Sequence, residues 1–529
     1  MRAHHLPLPT LLMMLPAALL SACGGGSGDT SSAAKSAALL ASGVTASAST
    51  STDTIVHTQS VLAQTQSAAV PLAPVPNDEG ASLTVSSAGA IDTSNPFFKP
   101  FGNGRACVSC HQPGNGWSIT PDGLSARFTA SAGLDPVFRL VDGAVSPEAA
   151  VGTLDQMRIA YSMLLTKGLI RVGLPMPANA EFTLVQTDDP YNYASARELS
   201  LFRRPLPTTN LAFLSGVMWD GRETATDASS TTCLKDVRPA QCYASIDADL
   251  LHQSNSAVRG HAQAAQDLSA ADQRAIVNFE KTLTTAQISS VDAGSLTDAG
   301  ALGGPLALSK NAFHFGINDL EAGDYKTGAP FNRNVMALFG AWINLDRPAP
   351  PPPPVRGRPA PPPPPPPSAL NLARASIARG EQIFNTKPFN ITGVAGFNDE
   401  LRTPLQRGSC ASCHDTPNSG THSVPRMFNT GVAAGALRTP DMPLYTLRNN
   451  ATGETISITD PGAAMLSGKW KDVGRFKVPG LRGIEARSPY FHNGAVNQIE
   501  DLVKFYDTRF KIGFTAQEAA DLAAFLKAL

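Results

Sequence analysis

Apolar positions in this chain fall into helical registers more often than into alternating ones. Ile276, Phe279 and Leu283 recur at helical spacing behind Ser269-Ala270-Ala271-Asp272, which has the form of a capped helix start. Leu522, Phe525, Leu526 and Leu529 share one face behind a second such start, Thr515-Ala516-Gln517-Glu518. Gly380-Glu381-Gln382-Ile383-Phe384 predicts a short helical segment, and Ile499, Leu502, Val503 and Tyr506 form one face of another. Strand-like alternation is sparse, and Glu181 to Val185 is its best stretch. These patterns predict a mainly α fold with long loops.

Two segments break the pattern. Met1, Arg2, His4 and His5 make a mildly positive start to an apolar run, Leu6 to Leu20, which is too short and too Pro-interrupted to span a bilayer. The run closes on Leu20-Ser21-Ala22-Cys23, which resembles the bacterial lipobox; the alternative is an ordinary export signal with a nearby cysteine. The expectation is a signal peptide over 1–22, lipidation at Cys23 and a disordered tether over 23–90, rich in Ala, Ser, Thr and Gly. Arg347 to Ser368 holds two proline runs, which form a stiff, extended spacer at roughly 3 Å per residue. The simplest organisation is an N-terminal domain over 91–346, a linker over 347–368 and a C-terminal domain over 369–529.

Composition narrows the partners. With 529 residues, 42% of them hydrophobic, and a net charge of −1, the chain carries no electrostatic signature of a nucleic-acid partner. The 43 prolines fit the long loops.

The chemistry lies in two CxxCH motifs, Cys107-Val108-Ser109-Cys110-His111 and Cys410-Ala411-Ser412-Cys413-His414, one on each side of the spacer. Two thiols three positions apart can form thioethers to one porphyrin, and the histidine that follows can ligate its iron. The motifs therefore predict two covalently bound haems c, at Cys107 and Cys110 with His111, and at Cys410 and Cys413 with His414. A zinc or redox CxxC is the competing reading. It is weakened by the repetition and by the export signal, since c-type haem is attached outside the cytoplasm. The other two cysteines, Cys233 and Cys242, are expected to form a local disulfide in an oxidising compartment.

Met218-Trp219-Asp220-Gly221-Arg222-Glu223, Gln253, Phe279-Glu280-Lys281-Thr282-Leu283, Phe476 to Arg482 and Ser488-Pro489-Tyr490-Phe491-His492-Asn493-Gly494 follow in order. With the two haem motifs, this order resembles the bacterial di-haem cytochrome c peroxidase family, which includes the di-haem enzyme that matures methylamine dehydrogenase. The resemblance implies two cytochrome-c-like domains, with hydrogen peroxide reduced at the N-terminal haem. Electrons would enter at the C-terminal haem from a small periplasmic cytochrome c or cupredoxin and be relayed by Trp219. Gln253 matches the family's distal-pocket glutamine. Where the family expects a distal glutamate, this chain has Val258-Arg259-Gly260-His261-Ala262-Gln263 and no carboxylate. His261 stands there as an acid–base group, an iron ligand or a surface histidine at a loop end. Tyr506 occupies the position of the family's distal ligand to the second haem, where Met442, Met465 and His422 compete and where a core tyrosine is the plain alternative. Arg482 and Arg487 are candidates to meet haem propionates. The family's interdomain calcium ion would fall at Arg204-Pro205-Leu206-Pro207, which lacks the expected asparagine. The expected setting is the periplasmic side of the outer membrane, held by the lipid anchor alone. A plain electron carrier and an oxidase or oxygenase acting on an organic or protein substrate remain as alternatives.

Overall fold

The computed structural model describes residues 69–70, 73–224, 246–348, 350 and 362–529, all within one unit, Thr58–Leu529. Cys23, the lipobox, Cys233, Cys242 and most of the proline-rich spacer lie outside the described residues.

In the helices used below, α1 spans Ile246–Gly260, α2 Ala270–Thr282, α3 Ala369–Thr386, α4 Ile499–Phe510 and α5 Ala516–Lys527. The caps read from the sequence are formed. Ser269 Oγ accepts from the Asp272 amide at 3.1 Å, and Thr515 and Glu518 make a reciprocal capping box. Helices α3 and α5 cross as the scaffold of the C-terminal half. A Cβ on Gly380 would lie 2.0 Å from the Asp521 carbonyl oxygen, so glycine sets how closely the two backbones approach. Arg379 locks the crossing with a two-pronged pair to Asp521, at 2.8 and 2.9 Å. Ile377, Phe384, Leu522, Phe525 and Leu526 fill the core there, together with Phe339 and Trp342.

In the N-terminal half α2 packs on α1 and on a short turn, Pro96–Phe98. Aromatic edges fill the contact with the turn: Phe279 meets Phe97 at 5.0 Å and Trp117 at 5.8 Å between ring centroids.

Strands make the fold more mixed than the sequence pattern predicts, with 31% helix and 18% strand. Five of them matter here: β1 (Gly80–Ser86), β2 (Phe182–Asp188), β3 (Leu283–Ser290), β4 (Leu444–Asn449) and β5 (Thr455–Ile458). β1 pairs antiparallel with β3 although its residues were expected within the tether. Its buried side chains are the small polar Ser82 and Thr84; Thr84 Oγ1 lies 2.8 Å from Thr285 Oγ1 and accepts from Trp117 Nε1 at 2.9 Å. Composition reads such a segment as unable to fold because it counts only apolar burial. β2, the one strand visible in the sequence, pairs with β4, and β4 pairs with β5. One sheet thus takes strands from both sides of the proline-rich spacer. No helix among the described residues is long and apolar enough to cross a membrane.

Candidate functional site

The two CxxCH motifs fold into the same local device. Each begins as a single 3₁₀ turn, Cys107–Ser109 and Cys410–Ser412, closed by a serine whose hydroxyl accepts the preceding amide: Ser109 from Ala106 at 3.0 Å and Ser412 from Ser409 at 3.1 Å. All four cysteines are free of disulfides. The His111 Nδ1–H donates to the Trp117 carbonyl at 3.1 Å, and the His414 Nδ1–H donates to the Gly420 carbonyl at 2.6 Å. In each case the carbonyl fixes the tautomer and leaves Nε2 as a bare lone pair, the arrangement usual for a ligating histidine. Burial is the main reason that both rings are pushed down to about 4, which keeps that lone pair unprotonated.

Both motifs border one continuous cavity, whose lining runs from Cys107, Cys110 and His111 to Cys410, Cys413 and His414. Lys477 and Arg487 line it without forming an ion pair, and burial pulls them down to about 8 and about 10. An unpaired buried cation costs several kcal/mol, so anionic groups belong in this cavity. Two haems carry thioether-forming vinyls, an iron for each free Nε2 and propionates for these cations, and the residues present fit them. Arg482 also lines the cavity; three of its five N–H groups donate to the carbonyls of Leu529, Asn418 and Gly304, so it ties Leu529 to this wall. A side-chain-only metal site at either CxxCH is not supported. Among the described residues the single cluster with metal-binding spacing is Asp319, Asp415 and His422, which includes neither motif.

At the N-terminal end of the cavity, α1 presents Leu250, Gln253, Ser254, Ala257 and Val258, with His261 just beyond its last turn. His261 is only partly buried, and its Nδ1–H donates to Asp142 Oδ2 at 2.5 Å. Asp142 is buried and also held by Arg105 Nη1 at 2.5 Å. Burial alone would raise the Asp142 carboxyl, but His261 and Arg105 outweigh it and hold the group below its ordinary value. Arg105 further bonds the carbonyls of Pro136, Val137 and His261, which ties the loop to the site. Neither Asp142 nor Arg105 was legible as a partner of His261, since neither lies near it in the chain. Glu280 also lines this end; it was visible only as part of a helical motif.

At the C-terminal end Tyr506 borders the cavity, bonded to Thr430 and packed against Phe505 at 5.1 Å and Phe510 at 6.2 Å. Its competitors lie elsewhere. Met442 is packed with Val145, Met163, Leu169 and Phe202, and Met465 with the core around Phe182 and Tyr445. His422 is buried beside Asp415 at 3.0 Å and against the Phe428 ring, off the cavity wall.

Trp219 also lines the cavity. Its Nε1–H donates to the Arg204 carbonyl at 2.7 Å, its own carbonyl accepts from the Lys477 amide at 2.8 Å, and its ring meets His492 edge-on at 6.2 Å. The adjacent Asp220 is fully buried; Arg203 and Arg222 overcome the effect of burial and hold it at about 2. Arg203 also grips Asp460 at 2.7 and 2.9 Å, so the tryptophan loop is bolted to the C-terminal half. His492 is buried and stacked on Phe476 at 4.0 Å, in keeping with a structural role. The expected calcium segment does not fit that ion: the Arg204 and Pro205 carbonyls are taken by Trp219 and Ser118, and the buried Arg204 cation sits among them.

No family model matches the chain. It is 30% identical to the cytochrome-c peroxidase IdrP2 of Denitromonas iodatirespirans over 136 residues, 23% of this chain and 36% of that protein. It is 28% identical to the cytochrome-c peroxidase IdrP1 of the same organism over 162 residues, 26% of this chain and 42% of that protein. It is 32% identical to the cytochrome c551 peroxidase of Nitrosomonas europaea over 128 residues, 24% of this chain and 32% of that protein. The chain thus aligns with less than half the length of each of these relatives. Among solved structures, a MauG-like protein associated with microbial copper homeostasis covers 66% of this chain and 79% of its own at 14% identity, with a TM-score of 0.26.

Proposed function

We propose that this chain, a relative of the bacterial cytochrome c peroxidases, is a di-haem peroxidase. It reduces hydrogen peroxide at the Cys107–His111 end with electrons received at the Cys410–His414 end. The observation that carries this reading is the asymmetry of the shared cavity. One end has an imidazole anchored by a buried carboxylate, His261 on Asp142, with Gln253 beside it; the other has an aromatic wall around Tyr506.

Bound haem would supply an iron to coordinate peroxide and a ring to carry electrons. The protein's share is proton handling and positioning. His261 donates through Nδ1, so its Nε2 is the nitrogen free to take a proton from peroxide and return it to the departing oxygen. Asp142 stabilises the imidazolium this creates, and Arg105 keeps Asp142 ionised. Gln253 can orient peroxide by hydrogen bonds but does not titrate. Trp219 passes the electrons, a role supported by its place in the cavity lining and by its hold on Arg204 and Lys477. The donor is a small redox protein of the cytochrome c or cupredoxin class. The setting is the periplasmic face of the outer membrane, with Cys23 as the anchor; the leader and its lipobox-like close support this part of the reading.

A second reading has one observation in its favour: Tyr506 is the one of the four proposed distal ligands that borders the cavity. A phenolate ligand lowers an iron potential, which suits an oxidase acting on an organic or protein substrate. Electron paramagnetic resonance of the oxidised and half-reduced holoprotein, with and without peroxide, tests both. A peroxide-responsive N-terminal iron with turnover of a reduced cytochrome supports the peroxidase. A response without cytochrome turnover favours the oxidase, and no response at either iron leaves an electron carrier.

A further inference from the structure

At the N-terminal end of the cavity the chemistry above leaves the buried Glu280 unused. Glu280 is 4% exposed and lines the N-terminal end of the cavity, one turn after Ile276 on the same face of α2. Its Oε2 has no hydrogen-bond partner, and it makes no ion pair. The charged groups at this end are engaged elsewhere: Arg105 and His261 with Asp142, and His111 with the Trp117 carbonyl. Cys107 is the group on which its charge bears. On the outer side of the helix, Lys281 is taken by Asp247. Glu280 also sits in the last turn of α2, where the helix dipole disfavours a negative charge. Burial pushes its carboxyl up to about 8.

Packing does not require this carboxyl. Helices α2 and α5 end in the same frame, Phe279-Glu280-Lys281-Thr282-Leu283 and Phe525-Leu526-Lys527-Ala528-Leu529, and each turns the second residue of its frame to the cavity. The C-terminal half fills that place with leucine. An acid without a partner at the same place in the N-terminal half is costly when ionised, and it responds to any charge placed beside it.

We propose that Glu280 is the redox-linked proton site of the N-terminal haem, taking up one proton when that centre gains one electron and releasing it when the electron leaves. The inference rests on the haem reading of Cys107, Cys110 and His111. The balance is simple. One electron arrives from a one-electron donor, one proton arrives from solvent, and an O–H bond forms on the carboxylate. The charge of the cavity is unchanged. Across one turnover, the carboxyl stores a proton inside the site at which peroxide is to be protonated.

The test is a spectroelectrochemical titration of the full-length holoprotein from about pH 6 to about pH 10. The N-terminal midpoint potential should fall with pH by up to ~59 mV per unit, the value for one proton per electron. Glu280→Gln and Glu280→Leu should flatten that slope and leave the C-terminal potential unmoved. A slope that survives in both variants overturns the proposal. If neither variant keeps its haem, the infrared difference spectrum of the wild type on reduction decides. A new protonated-carboxyl band is expected, and its absence overturns the proposal. No peroxide is needed, so failure of peroxidase turnover with the slope intact would sink the enzyme reading and leave Glu280 standing. Mass spectrometry showing no haem at Cys107 and Cys110 would sink both.

Discussion

The two ends of the cavity use one scaffold and equip it differently. Each has a CxxCH turn closed by a serine, a histidine pinned through Nδ1 and a helix ending in Phe-x-Lys-x-Leu. Around the N-terminal motif the wall holds Arg105, Asp142, Gln253, His261 and Glu280; around the C-terminal motif it holds Phe384, Leu522, Leu526, Tyr506 and Phe510. The first set can hold and move protons. The second excludes water and offers rings. A repeated fold therefore fixes where the cofactor sits, and the distal and edge side chains decide what it does there.

The strongest way to break this comparison is at His261. Replacement by alanine should lower peroxide turnover about 10²–10⁴-fold, the usual worth of a positioned acid–base group, and leave the C-terminal haem spectrum unchanged. Tyr506→Phe should do the reverse, altering the C-terminal spectrum with a much smaller loss of turnover. Stopped-flow kinetics and absorption spectra of both variants check the pair, and equal losses would show that the ends are not specialised.

Next in size is Gly380→Ala. The added methyl meets the Asp521 carbonyl in the C-terminal crossing, and overpacking there should cost about 1–3 kcal/mol in denaturant titrations. The crossing of α3 and α5 lies in the C-terminal half, so the perturbation should appear in the C-terminal haem region first.

The smallest expected effect sharpens the contrast between Glu280 and Leu526. The folded-state carboxyl of Glu280 is raised, so folding takes up a proton between its ordinary 4.5 and about 8. The stability that the protonated form allows is present at low pH and is lost as pH rises through about 8. Glu280→Gln should match the wild type in melting temperature near pH 4 and exceed it by a growing margin up to about pH 8. Leu526→Gln should show no pH-dependent margin. Thermal melts across that range check both.

Features that depend on neighbours in sequence were legible in advance. The CxxCH turns are local, as are the caps at Ser269 and Thr515 and the helical faces beside them. The peroxidase-like order of motifs pointed to Trp219, Gln253 and Tyr506, and all three border the cavity. What escaped depends on distance. Asp142 reaches His261 from 119 residues away, and nothing in the composition of its loop marks it. β1 escaped because its buried residues are Ser82 and Thr84, which a hydrophobicity pattern counts as exposed. The carbonyls that Arg482 meets, of Leu529, Asn418 and Gly304, likewise lie far from it in the chain and leave no mark near it.

The sheet that joins β2 to β4 bears on how the chain comes together. Asp188 and Arg438, at one edge of it, pair across 250 residues. β2 therefore has no strand partner until most of the chain has been made, and so distant a closure slows folding. In the interval β2 offers an open edge to other molecules. Its flanks carry Glu181, Asp188 and Asp189, charges that guard such an edge against sticking to another copy. An uncharged replacement of Asp188, whose pair with Arg438 is exposed, should change the finished protein little, yet reduce its yield through aggregation during synthesis.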